Sequence, residues 1–210
     1  MKLYYPDAII PLKTMHTLGY YQLNYPRGAV IHFTAGNEDD SGENSYEIGR
    51  KNKHTYFVIS SKGKVWQGFP LNRFGSHAGK SYYPSIGSSV SQHLVGIEIC
   101  CAGKLEYKSH KYRSWFGKIF QKEQVRSVVE NKDNWIIGHF HKYAVEQEIA
   151  LYNLILWLWK NNPNTFNIDK VLGHDEVCAP KGRKNDPGAS LSVTMPAWRA
   201  NFKELTKSMS

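Results

Sequence analysis

Apolar positions along this chain fall into three patterns, each predicting a different kind of element. Residues 29–34 form the first clear strand, and the near-continuous β-branched run at 94–100 marks a central strand covered on both faces. Residues 56–60 and 64–69 flank Ser61-Lys62-Gly63, a hairpin signature with glycine in the turn. Val145, Ile149, Tyr152, Leu156 and Trp159 follow a 3–4 spacing, while Leu151, Leu154 and Leu158 cover much of the other side. That predicts a largely buried helix over residues 143–161. Val171-Leu172-Gly173 reads as a short edge strand. Residues 195–207, capped by Thr194 with Pro196 in the first turn, read as a terminal helix. Asp39-Asp40-Ser41 offers a cap for a short helix over residues 44–50.

Two stretches lack such order. The first thirty residues, rich in Tyr and Pro, predict an irregular leader wrapping the domain. Between residues 102 and 142 the periodicity breaks down. Seven Lys or Arg stand against two Glu from Lys104 to Arg126, interleaved with Tyr107, Tyr112, Trp115, Phe116 and Phe120. No repeat or low-complexity linker divides the chain, so its mingled strands and helices predict one α/β domain spanning residues 1–210, with an insertion at about 102–142.

The composition narrows the function classes. With 210 residues and 41% apolar content, the chain can bury a core, which excludes disorder as its main state. A net charge of +9 favours an anionic partner: nucleic acid, a membrane surface or a bacterial wall polymer. Three cysteines, two of them adjacent, form no disulfide framework and suit a reduced chain. The first residues show no apolar signal segment, and the longest apolar stretch, 149–159, is shorter than the ~20 residues that span a bilayer. The expectation is a protein made in a cytoplasm, with no membrane insertion.

Three residues carry metal-type chemistry. His32 lies inside an apolar strand, His174 follows a strand end, and Asp186 sits in a turn shaped by Pro187 and Gly188. Two imidazoles and a carboxylate make an open zinc site with one position left for water. From spacing alone, a hydrogen-bonded core histidine and an Asx-type turn explain them as well. Glu98 is the lone acid in its apolar run, where a charge is costly unless it is paired or in use. In an extended segment, Lys184 would share a side with Asp186.

In order, the chain presents Val30-Ile31-His32-Phe33-Thr34-Ala35-Gly36, the 58–69 hairpin, Gly75-Ser76-His77-Ala78-Gly79, and Val95-Gly96-Ile97-Glu98-Ile99. Gly173-His174-Asp175-Glu176 and Arg183-Lys184-Asn185-Asp186-Pro187-Gly188 follow. Over about residues 28–190 this succession resembles the zinc-dependent N-acetylmuramoyl-L-alanine amidases, a group of AmpD-like enzymes, phage amidase endolysins and peptidoglycan recognition proteins. The resemblance implies a mixed central β-sheet flanked by helices. It implies Zn2+ held by His32, His174 and Asp186, Glu98 as general base, Lys184 stabilising the oxyanion, and His77 lining the groove as a substrate-binding group or as a partner to a metal ligand. It also implies hydrolysis of the amide between N-acetylmuramic acid and L-alanine in bacterial peptidoglycan. The missing signal segment and the +9 charge fit a phage-type endolysin acting on the wall after release, expected to be monomeric and, with no nucleic-acid fold signature in the sequence, to have no nucleic-acid partner. A cytoplasmic muropeptide-recycling amidase and a non-catalytic peptidoglycan-binding module are the alternatives.

The chain departs from the family pattern at three points. Thr55 stands where some members have a tyrosine near the metal. Lys181 and Gly182 lengthen the loop between His174 and Asp186, and that loop carries Cys178, a rival zinc ligand. Asp186 is preferred, because relatives with a ligand cysteine place it at the Asp186 position. The 102–142 insertion is the third, a candidate grip on anionic wall polymers through its charges and rings.

Overall fold

The two unbroken apolar runs lie side by side at the centre of a six-stranded mixed sheet. In this computed structural model, which describes residues 1–130 and 135–207, the strands run in the order Ala8–Ile9, Val65–Trp66, Tyr56–Ile59, Val95–Ile99, Ala29–Phe33, Val171–Gly173. The four from Tyr56–Ile59 to Val171–Gly173 are parallel; Val65–Trp66 returns antiparallel as the hairpin predicts. Val171–Gly173 takes the edge, as its brevity predicts.

Register decides which side chains share a face. Ala29, Ile31, Val95, Ile97, Phe57 and Ile59 pack with Leu151, Leu154, Ile155 and Leu158 of helix α2 (Val145–Asn161). Helix α4 (Met195–Lys207) adds Trp198 and Phe202 to that core. The alternate residues Val30, His32, Gly96 and Glu98 point to the opposite face. There Val30 and Leu172 pack with Ala78, Val90, Leu94 and Val177.

The buried stripe of α2 differs from the expected one. Val145 and Ile149 are exposed, and Leu151, Leu154, Ile155 and Leu158 face the sheet. A helix with apolar residues on most of its sides leaves the choice of face to its neighbours, and Val145 and Ile149 open onto a groove of about 960 Å3. Helix α1 (Glu43–Lys51) begins after Gly42, whose φ of 82° suits glycine; the Asp39 carboxylate accepts from the Gly42 and Ser45 amides at 3.0 and 2.8 Å. The leader wraps the core but is not wholly irregular: Ala8–Ile9 forms an edge strand of the main sheet, and Gly19–Tyr20 pairs with Arg73–Phe74. Buried Gln67 pins it, accepting from the Tyr5 amide and donating to Leu3 O.

Residues 102–142, where the sequence shows no periodicity, build a second sheet. Five antiparallel strands run in the order Ile119–Phe120, Lys111–Arg113, Lys104–Lys108, Gly138–His141, Val125–Val128. Leu105, Phe120 and Val125 form its small core with Ala102. Glu38, bonded to His141 Nε2 and to Lys118, ties this sheet to the main one, and Arg126 bonds Ala189 O and Leu191 O. All three cysteines are free and buried. No helix of the described residues is long and apolar enough to cross a membrane.

Candidate metal centre

Parallel pairing sets His32 directly opposite Glu98. Gly173 pairs with Ile31, so His174, first residue of the short helix α3 (His174–Val177), arrives level with His32. The 183–188 loop then carries Asp186 across, and its backbone oxygen accepts from the Asp175 amide at 2.9 Å. All lie near the carboxyl ends of the strands.

Three atoms converge there. His32 Nδ1 is 2.9 Å from His174 Nδ1 and 3.1 Å from Asp186 Oδ2; His174 Nδ1 is 2.9 Å from the same oxygen. All three residues are buried. Neighbouring acceptors fix the ring protons. His174 Nε2 donates to Ala78 O at 3.0 Å, and His77 Nε2 to Leu94 O at 2.9 Å, because a carbonyl only accepts. Neutral His77 then offers Nδ1 as an acceptor to His32 Nε2–H, 3.1 Å away. Both Nδ1 atoms therefore present lone pairs to the centre.

Such a triangle of acceptors without a donor is repulsive unless a cation sits within it. A proton satisfies one pair; a metal ion satisfies all three. Ligand bonds of ~2.0–2.1 Å at tetrahedral angles separate donor atoms by about 3.3 Å, so the triangle need open only slightly to take zinc. Charge agrees. Burial pushes the His32 imidazole down to about 4, and burial and the neighbouring imidazoles push His77 well below its ordinary value, so both are neutral near pH 7. Residues His32, His174 and Asp186 could thus hold a divalent ion.

Glu98 stands beside this cluster in a cleft of about 400 Å3, and its Oε2 is buried without a hydrogen-bond partner. Burial, reinforced by the Asp186 charge, pushes its carboxyl up to about 8, and Lys184 opposes this. Exposed Lys184 lines the same cleft. His77 lies behind His32 with both ring nitrogens bonded, the place of a group that orients His32. Gly96 makes room for it: a Cβ there would come within 2.7 Å of the His77 ring.

The remaining site residues separate cleanly. Cys178 is outside the convergent set, and its thiol donates to Asp175 O at 3.6 Å. Thr55 is buried and donates to His16 O, away from the cleft. His54, which no sequence motif singles out, lines the cleft wall. Only the strand period marks it, two positions before Tyr56.

A mixed sheet bearing two imidazoles, a carboxylate and a buried glutamate at its strand ends defines a class: α/β proteins with a metal-type centre. The chain belongs to the N-acetylmuramoyl-L-alanine amidase family, whose pattern it matches over residues 22–189. Among solved structures it resembles an AmpD derivative (TM-score 0.57, 18% identity, 94% of this chain and 95% of that one). It also resembles AmiD of E. coli in complex with anhydro-N-acetylmuramic acid-L-Ala-D-gamma-Glu-L-Lys (0.56, 20%, 87% and 60%). The endolysin LysCS of Clostridium intestinale follows (0.53, 17%, 95% and 97%). These likenesses establish the mixed α/β fold. A curated pyridoxal kinase, PdxY of Histophilus somni, is 25% identical over 115 residues, 49% of this chain and 40% of that one. The chain thus spans less than half the length of this curated relative.

Proposed function

We propose that this protein hydrolyses the amide joining N-acetylmuramic acid to L-alanine in peptidoglycan, with zinc held by His32 Nδ1, His174 Nδ1 and Asp186 Oδ2. One observation carries the reading. Three buried acceptors with no donor among them lie beside an unpartnered, buried carboxylate, on a chain of this family.

Bound there, zinc supplies a Lewis acid and an acidified water at neutral pH. A bound divalent cation would favour the ionised form of Glu98, whose carboxyl otherwise titrates at about 8, so that Glu98 Oε2, short of a donor, can take the proton of the attacking water and pass it to the departing amino group of L-alanine. Water thus adds its oxygen to the lactyl carbonyl carbon, the C–N bond breaks, and the amine leaves neutral. Lys184, at the cleft rim, stabilises the oxyanion of the tetrahedral intermediate. His77 and Ala78 O hold the two imidazoles in the ligating tautomer.

We further propose that the protein acts on assembled wall, as a phage-type endolysin does. Its +9 charge suits an anionic polymer better than a small soluble muropeptide. Purified protein is expected to hold about one zinc and to free L-alanine amino groups from intact sacculi faster than from soluble anhydro-muropeptides. The reverse preference would assign it to muropeptide recycling. Zinc binding with no release from either substrate would leave a binding module.

A further inference from the structure

The base of the second sheet faces the Lys181-Gly182 loop across a cleft that Lys104 and Trp135 wall, and none of residues 105–113 lines it or the metal-site cleft. The far end of the sheet has a different character. Gly138–His141 pairs with Lys104 and Leu105 alone, so from Glu106 onward the strand Lys104–Lys108 has Lys111–Arg113 as its one partner. Residues 106–111 therefore project as a two-stranded ribbon, and all six are exposed.

Two features of this ribbon do nothing for the stability of the fold. The first is charge. Lys108 and Lys111 stand directly opposite each other, and like charges in that register destabilise a strand pair. Glu106 opposes Arg113, which leaves the two lysines with no acid across from them. Among the described residues of the 102–142 segment, Lys118 is the only Lys or Arg that an acid holds, through Glu38. The second feature is aromatic. Tyr107 and Tyr112 pair across the face opposite to Lys108, with rings 4.7 Å apart. His139 joins them at 5.4 and 5.2 Å, and His110 meets the Tyr107 ring edge-on at 6.5 Å. Ser109 and His110 both hold positive φ, 50° and 58°, in a turn that glycine and asparagine favour. Tyr107 remains 48% exposed.

We infer that this ribbon is a docking site for a sugar-bearing polyol-phosphate polymer of the wall, a partner distinct from the peptidoglycan cut at the metal centre. Its phosphodiesters offset the repulsion between Lys108 and Lys111, and its sugars lie against Tyr107, Tyr112 and His110. The choice of a wall polymer rests on the amidase reading; the anion and the sugar follow from the ribbon alone. Single-stranded nucleic acid is the other polyanion that carries rings, and its bases stack on open, flat ring faces. Tyr107, Tyr112 and His139 are inclined to one another by 37°, 51° and 59°, so they share no such plane. Their edges, phenol hydroxyls and imidazole suit the hydroxyls of a sugar.

The test uses the zinc-loaded full chain and glycosylated poly(glycerol phosphate) freed of peptidoglycan. Calorimetry is expected to show binding that weakens as salt rises. The double variant Lys108→Glu, Lys111→Glu should bind about tenfold more weakly, and Tyr107→Ala, outside the small core of this sheet, about threefold. On sacculi stripped of the polymer, both variants should release amine at the wild-type rate; on polymer-bearing walls they should fall behind. Equal affinity of wild type and the double variant for the polymer overturns the proposal. So does tighter binding of a single-stranded oligonucleotide of equal charge, or slower release by the variants from stripped sacculi. Absence of amine release by wild type from either wall overturns the amidase reading instead, and a loss of polymer binding in the double variant still upholds the docking site.

Discussion

His77 Nδ1 lies 3.1 Å from His32 Nε2, and this contact settles which nitrogen of His32 faces the centre. With His77 Nε2 committed to Leu94 O, the proton between the rings belongs to His32, which frees its Nδ1 to ligate. His77→Ala removes the acceptor and unlocks that tautomer. Zinc affinity is expected to fall by roughly 10–100-fold, as for lost outer-shell partners elsewhere. Competition titration against a chelating dye reads it directly.

Gly96→Ala approaches the same ring from below. Its added methyl would sit 2.7 Å from His77, and the ring is backed by Leu94 O, so the ring must shift. Overpacking of this kind costs about 1–3 kcal/mol. Thermal denaturation is expected to show the loss, and dye competition a weaker zinc site. A methyl accepted at no cost to either would mean that the ring is not tightly held.

Glu98 should trade stability for activity. Its carboxyl titrates at about 8 in the metal-free fold, against an ordinary 4.5. Between those values the folded state holds a proton that the unfolded state has lost, so stability falls as pH rises from 4.5 through 8. Glu98→Gln cancels this term. In chelator-treated protein, the variant is expected to melt above wild type at pH 8 and to lose that advantage towards pH 4.5. Amine release by the zinc-loaded variant should drop by about 10²–10⁴-fold.

Lys184→Ala tests the oxyanion role apart from metal binding. The side chain is exposed and no contact holds it to the three converging atoms, so zinc content should stay near wild type. The kcat is expected to fall by about 10²-fold, the size of one lost oxyanion donor. A variant that loses its zinc instead would place Lys184 among the residues that build the metal site.

Arg126→Ala tests the brace between the sheets. It would strip Ala189 O and Leu191 O of a charged donor at a half-buried position, which costs about 1–3 kcal/mol. Faster hydrogen exchange is expected in Val125–Val128 and Gly138–His141.

Local pattern was enough for five of the six main-sheet strands, because buried parallel strands need near-continuous apolar runs that few other elements tolerate; the two-residue strand Ala8–Ile9, inside the leader, carries no such run. It was enough for the hairpin turn and for the terminal helix as well. The second sheet was also written in the sequence, as Lys104-Leu105-Glu106-Tyr107-Lys108 and Lys111-Tyr112-Arg113 about a Ser109-His110 turn. Its alternation is hard to read because the strands are only two to five residues long.

By itself the sequence determined which residue types were available for chemistry: two histidines and an aspartate at strand or turn positions, and a carboxylate inside an apolar run. Only tertiary structure decided that their acceptor atoms meet, because residues 32, 174 and 186 approach through strand register and no local period encodes that distance. It also decided the ring tautomers, which depend on Leu94 O and Ala78 O, carbonyls whose positions the surrounding chain sets. The same holds for the cleft shared by the second sheet and the Lys181-Gly182 loop, since packing between remote segments is a property of the folded chain alone.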